Sequence, residues 1–99
     1  MYGVVRRYRA KSGEHEDIIE KAERHYVEIV SNSPGFIAFY VVHEGDTAMT
    51  ISIFHSEEET RASDDKAASF VREHLAEHVE GPLEVVRGSV VVSKVAHDK

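Results

Sequence analysis

Ninety-nine residues make one domain, expected over residues 1–99, with a single modest core near the size at which burial against a partner subunit becomes useful. The formal net charge of −6, with both signs scattered along the chain, argues against a phosphate-binding surface and so against nucleic acid as a partner. The absence of cysteine excludes disulfides, thiolate metal sites and a cysteine nucleophile together.

The chain opens on Met1-Tyr2-Gly3-Val4-Val5-Arg6-Arg7-Tyr8, where two arginines arrive too early for a secretory leader, and no later run approaches membrane-spanning length. A cytoplasmic protein with no membrane association is expected. Residues 2–10 are rich in valine and aromatics and stop at Lys11-Ser12-Gly13, as a strand ending in a turn does. From Glu14 to Ser31 the apolar residues Ile18, Ile19, Ala22, Tyr26, Ile29 and Val30 recur at helical spacing. Ser12 is a candidate cap, and Asn32-Ser33-Pro34-Gly35 is a stop. Residues 36–43 and 48–55 are β-rich runs flanking the turn composition Glu44-Gly45-Asp46-Thr47, which predicts a hairpin.

Ser56-Glu57-Glu58-Glu59 supplies a cap and three acids where a helix dipole favours them. A restart or bend is expected at Ser63-Asp64-Asp65, since these side chains compete for backbone donors. Helical spacing then continues through Ala67, Phe70, Val71, His74, Leu75, His78 and Val79 until Gly81-Pro82. The valine-dense residues 83–95 predict a last strand. The order β-α-β-β-α-β is the split βαβ of α+β, ferredoxin-like folds: a four-stranded antiparallel sheet with both helices on one face. In the second strand Phe36, Ala38, Tyr40 and Val42 alternate with Ile37, Phe39 and Val41, so both faces are apolar. Two helices cover one face, and a second copy of the chain is the simplest cover for the other, which predicts a homodimer.

His74-Leu75-Ala76-Glu77-His78 has the letters of an inverted zinc-peptidase helix motif, and histidines at i and i+4 share a helix face. A peptidase also needs a third ligand and a cleft between subdomains, which a split βαβ chain of this length does not offer. The favoured reading is without metal: both histidines sit in the last turns of a helix, half-buried beside the apolar stripe. His15, His25, His43, His55 and His97 are dispersed and are expected to be exposed or locally hydrogen bonded. Glu57-Glu58-Glu59 reads as a solvated helix start rather than a metal cluster. Tyr26, Phe70 and Val71 read first as core. Arg6 and Arg7 are consecutive in a strand and must point to opposite faces, neither of them plain solvent. A guanidinium there needs an anion or an aromatic face. A structural ion pair is favoured, and a phenolate or carboxylate of a ligand is the functional alternative.

Val5-Arg6-Arg7-Tyr8-Arg9, Pro34-Gly35-Phe36, Ile51-Ser52-Ile53-Phe54 before an acidic helix start, Ser63 with Ala67-Ala68 and Phe70-Val71, and Gly88-Ser89-Val90-Val91-Val92 together resemble the antibiotic biosynthesis monooxygenase family, a branch of the dimeric α/β-barrel superfamily. The resemblance spans nearly the whole chain. It implies a dimeric α/β barrel with a pocket between the sheet and helices of each protomer, and Arg6 beside that pocket. The family mixes cofactor-free oxygenases of polycyclic phenols, heme-degrading oxygenases and members without known activity. The heme-degrading pattern of Asn, Trp and His falls here on Arg6, Ser63 and Glu73, so none of the three agrees, and the chain has no tryptophan. His74 is one place beyond the ligand position.

The leading expectation is therefore a monooxygenase needing no cofactor and no metal, acting on a small aromatic, phenolic or quinone-like substrate. The substrate's own phenolate supplies electrons to oxygen, and the protein supplies an apolar slot, a cation and exclusion of water. Arg6 would hold the anion and His74 would serve as acid and base, while Tyr26, Ser63 and Phe70 shape the slot. The alternatives are a non-catalytic dimeric binder of a small hydrophobic ligand and a heme-binding or heme-degrading protein.

Overall fold

The computed structural model describes residues 1–11, 13 and 15–96. The expected cap Ser12, the helix start Glu14, His97 and the side chain of His15 lie outside the described residues. Strands β1 (Tyr2–Ala10), β2 (Phe36–Glu44), β3 (Thr47–Phe54) and β4 (Val79–Ser89) form one sheet in the order β2-β3-β1-β4, with every pair antiparallel. The first helix is built of α1 (His15–Lys21), a π-helical segment Ala22–Tyr26 and α2 (Val27–Ser31), joined through right-handed backbone at Lys21 and Tyr26. The second is α3 (Glu57–Phe70) followed by a π-helical segment Val71–Leu75. This is the expected ferredoxin-like arrangement, four antiparallel strands with two helices. Among the described residues no helix is long and apolar enough to cross a membrane.

The pleat of β1 sorts the sheet into two faces. Val4, Arg6, Tyr8 and Ala10 are buried beneath the helices, where Tyr8, Ala10 and Phe54 of the sheet pack with Ile18, Tyr26, Val30, Ala67, Phe70 and Leu75. On the other face the register puts Val5 beside Ile51 and Val86, and places Tyr40 beside Ile51 and Val42 beside Met49. Tyr40, Val42 and Val86 are more than half exposed there, at 57, 53 and 56%. Arg7 and Arg9 share that face and pair with Glu84 and Glu80 at 3.3 and 3.6 Å. The second apolar face is thus real and open in the single chain.

Four local expectations change. A register shift between Phe36 and Ala38 puts Phe36 on the same face as Phe39 and Val41, not with Tyr40 and Val42, because a bulge adds one residue and inverts the alternation before it. There Phe36 meets Phe54 edge-on, with ring centroids 6.2 Å apart. The bend expected at Ser63–Asp65 does not occur: α3 runs through it, and the Ser63 hydroxyl donates back to the Thr60 carbonyl at 2.6 Å. The second helix ends at Leu75 rather than at Gly81-Pro82, which lies inside β4 with a cis peptide bond. β4 is an edge strand, where a residue without an N–H is tolerated beside a register irregularity, here between Arg7 and Arg9 of its neighbour. Finally, β4 stops at Ser89, not 95, where Ser89 pairs with Tyr2 at the start of β1. Val90 still donates its N–H to the Met1 carbonyl at 3.0 Å, while Val91, Val92 and Val95 are 73–87% exposed.

Candidate functional site

A cavity of about 50 Å³ lies between the sheet and the helices. Its sheet side is built from Arg6 and Tyr8 of β1, Phe39 and Val41 of β2 and Thr50 of β3. Its helix side includes Ala22 and Tyr26 from the first π segment, Ala67 and Phe70 of α3, and Val71 and Leu75 from the second. Both π segments therefore contribute wall residues. Such segments carry an irregular hydrogen-bond ladder and recur where a helix is shaped around a site.

Arg6 is 5% exposed, and its Nη2 donates to Asp64 Oδ1 at 2.5 Å. The other oxygen of Asp64 accepts from Arg87 Nη1 at 2.7 Å. Arg87 stands opposite Val4 in the register of β4 and β1, which brings it to the helix side of the sheet. Two guanidiniums thus share one carboxylate, so the trio keeps one net positive charge. Tyr8 and Tyr26 also line the cavity. Burial pushes both phenols above their ordinary value of 10.0, and the nearby Arg6 cation offsets part of this. Both are held as neutral O–H groups, which can donate to an oxygen or oxyanion in the cavity.

Aromatic rings continue outward from the cavity. Phe39 and Tyr26 meet at 5.3 Å between centroids, Tyr26 and Phe70 at 5.1 Å, Phe70 and His74 at 5.0 Å, and His74 and His25 at 5.1 Å. Of the residues singled out from the sequence, Arg6, Tyr26 and Phe70 come together on the cavity wall. Ser63 is 2% exposed and bonded to its own helix, outside that wall. His74 is half-buried behind Phe70, in a surface groove with Ile29, Lys66 and Glu73. His74 and His78 do not share a helix face, because His78 lies in the turn after Leu75, with its N–H donating to the Leu75 carbonyl at 2.8 Å. Among the described residues no three His, Asp or Glu side chains gather as a metal site would require.

Three participants were not singled out from the sequence. Tyr8 follows Arg6 by two residues in a strand, a spacing that already puts both on one face. Asp64 was read as a helix breaker, and Arg87 lay within a run read only for its valines; no local signal joins them to Arg6 across the chain.

The family model described as antibiotic biosynthesis monooxygenase matches residues 1–69. A search of curated proteins finds no match. Among solved structures, the chain is similar to a protein of unknown function from Nitrosomonas europaea, NE2512, with a TM-score of 0.82 at 15% identity over 98% of this chain and 95% of that one. It is similar to HapK from Hahella chejuensis, with a TM-score of 0.79 at 10% identity over 99% and 100% of the two chains. It is also similar to the heme-degrader MhuD from Mycobacterium tuberculosis, whose structure has two hemes bound in its active site, with a TM-score of 0.73 at 19% identity over 96% and 100%. At these identities the likeness to the three structures is one of fold.

Proposed function

Since the chain belongs to the antibiotic biosynthesis monooxygenase family, we propose that it oxidises a small aromatic, phenolic or quinone-like substrate held between sheet and helices, with no resident cofactor. The observation that carries this reading is the buried Arg6 guanidinium beside two neutral phenols, Tyr8 and Tyr26, on an otherwise mostly apolar wall. A cation at that point stabilises a substrate phenolate, and the phenolate is the electron source. In an anthrone, for instance, the ring CH₂ takes one oxygen atom from O₂ to become a carbonyl, and the other oxygen leaves as water with the two hydrogens. The protein's part is to favour the anion, orient it and exclude water.

Arg6 holds the anion, Tyr26 and Phe70 set the slot, and the Tyr8 and Tyr26 hydroxyls are donors on the same wall. His74 supports the slot by packing on Phe70 and reaches substrate only if its ring turns inward. Ser63 supports α3 from beneath. At about 50 Å³ the cavity is well below the ~300–1,000 Å³ of ordinary ligand pockets, so a ring system enters by moving Tyr26 and Phe70 on their two helices apart. With Arg6, Ser63 and Glu73 in place of the heme-degrading pattern, the residues do not fit a heme, and no step is routed through one. We further infer that the protein is a homodimer joined through the outer sheet face, where Tyr40, Val42 and Val86 stand exposed.

Oxygen uptake with a panel of hydroquinones and anthrones, without added metal or flavin, tests the reaction. Consumption of one O₂ per anthraquinone formed from an anthrone, or per hydroxyquinone formed from a hydroquinone, is expected, with the second oxygen atom leaving as water. Binding without uptake would support the other reading, a dimeric binder of a hydrophobic ligand, which the pairing of Arg6 with Asp64 already favours to some degree because that cation has a partner without any ligand.

A further inference from the structure

A second depression, of about 300 Å³, opens between α3 and β4 on the far side of Arg6. It shares Arg6, Tyr8, Ala67 and Val71 with the apolar cavity, so the two spaces have a common wall. Its remaining surface differs in kind. Arg72 from the π segment after α3 and Arg87 from β4 face it together with Asp64. Three guanidiniums stand against one carboxylate among these lining residues, in a chain whose formal net charge is −6. A local surplus of positive charge beside an apolar cavity, against the sign of the whole chain, is what an anionic ligand group would require.

We propose that the α3–β4 cleft is a carboxylate subsite: the ligand's apolar body enters the cavity beside Tyr8 and Val71, and a carboxylate carried on it lies in the cleft against Arg87 and Arg72. This rests on the aromatic-ligand reading of the adjoining cavity and adds a charged group to it. Arg87 is suited to the task by its surroundings. Its side chain is 29% exposed, open enough to meet a ligand yet partly withdrawn from water. It uses a single N–H, from Nη1, on Asp64, and a guanidinium carries five. Arg87 already takes a carboxylate partner in this setting, since Asp64 Oδ2 accepts from its Nη1 at 2.7 Å. The two Asp64 oxygens hold Arg6 and Arg87 in direction and offset only one of their two positive charges.

The test uses two fluorescent probes with the same ring system, 9-anthracenecarboxylate and 9-anthracenemethanol, titrated into the full chain at neutral pH. The carboxylate is expected to bind more tightly by about tenfold, the value of one charge-assisted hydrogen bond. Arg87→Gln and Arg72→Gln should each lower that preference and together abolish it, with 9-anthracenemethanol affinity unchanged and circular dichroism confirming the fold. Equal binding of the two probes to the unaltered chain, or a preference that survives the double substitution, overturns the subsite while leaving the cavity reading intact. Failure of the chain to bind either probe overturns both. Binding of the carboxylate alone, lost in the double variant, retains the charged cleft and overturns the aromatic cavity.

Discussion

His25 and His74 stack across the two helices, with ring centroids 5.1 Å apart and planes 14° from parallel, and each comes from a π-helical segment. His74 lies between this contact and Phe70, so it couples the first helix to the ring that walls the cavity. In a double-mutant cycle the two alanine substitutions should show a coupling of about 0.5–1.5 kcal/mol in urea unfolding, the range for ring pairs beyond area burial. Full additivity would mean the rings are merely adjacent.

Arg6→Ala should leave a folded chain that is less stable and binds anionic aromatics poorly. Breaking a buried ion pair costs ~3–5 kcal/mol, and because Asp64 is 35% exposed and keeps Arg87 the loss should be nearer to about 2 kcal/mol. Affinity for a phenolic ligand, titrated above the ligand's own ionisation, should fall by one to two decades, roughly 1.5–3 kcal/mol. Arg7→Ala is the control, since Arg7 pairs with Glu84 on the opposite face and should leave ligand affinity untouched. Equal loss in both variants would place the anion site on the wrong side of the sheet.

The tyrosines offer a pH test with a definite sign. Burial raises the pKa of Tyr8 and Tyr26 above 10.0, so the folded chain keeps protons that the unfolded chain has begun to lose at that pH. Their contribution to stability is therefore complete below about pH 10 and declines as pH rises past it. Phenolate absorbance near ~295 nm should show a late-titrating fraction, reduced by Tyr8→Phe and by Tyr26→Phe. A single transition for all four tyrosines, unchanged by either substitution, would contradict the burial of these phenols.

The homodimer is checked by light scattering. The unaltered chain should run at twice the mass of one chain at micromolar concentration, and Val42→Lys with Val86→Lys should run at once that mass, because both residues stand on the open sheet face. A monomeric unaltered chain would remove the assembly from the functional reading.

The sheet was legible from valine and aromatic content between turn residues, and its two apolar faces from the second strand. The alternation of buried Val4, Arg6, Tyr8 and Ala10 in β1 shows only in the structure, because Val5 and Arg7 repeat the chemistry of their neighbours. Where the period fails, so does the reading. The bulge after Phe36 inverts one residue, and Gly81-Pro82 looks like a helix stop because proline's tolerance on an edge strand depends on which strand lies beside it. The apolar spacing from Phe70 to Val79 is shared by a helix end and a strand start, so it could not locate the turn between them. The site was legible only in part. Tyr26 and Phe70 carry local signals of face and hydrophobicity, and Arg6 is separated from Arg7 only by the family resemblance, whereas the bridging of Arg6 and Arg87 by Asp64 joins residues 58 and 23 positions apart and exists only once the chain has closed.

The two π segments also bear on how this cavity can change over generations. A π turn is an α-helix holding one residue too many, taken up within a single wide turn, so loss of a single codon within Ala22–Tyr26 or Val71–Leu75 would restore regular winding there and change what that turn presents, while the rest of the helix stays in place. The wall residues inside those turns, Ala22 and Tyr26 or Val71 and Leu75, would then be set differently against the cavity without any substitution having occurred there. Among relatives of the same fold, the shape of this cavity can therefore turn on one-residue differences in helix length, and comparisons that score only which amino acid stands at a position will pass over them.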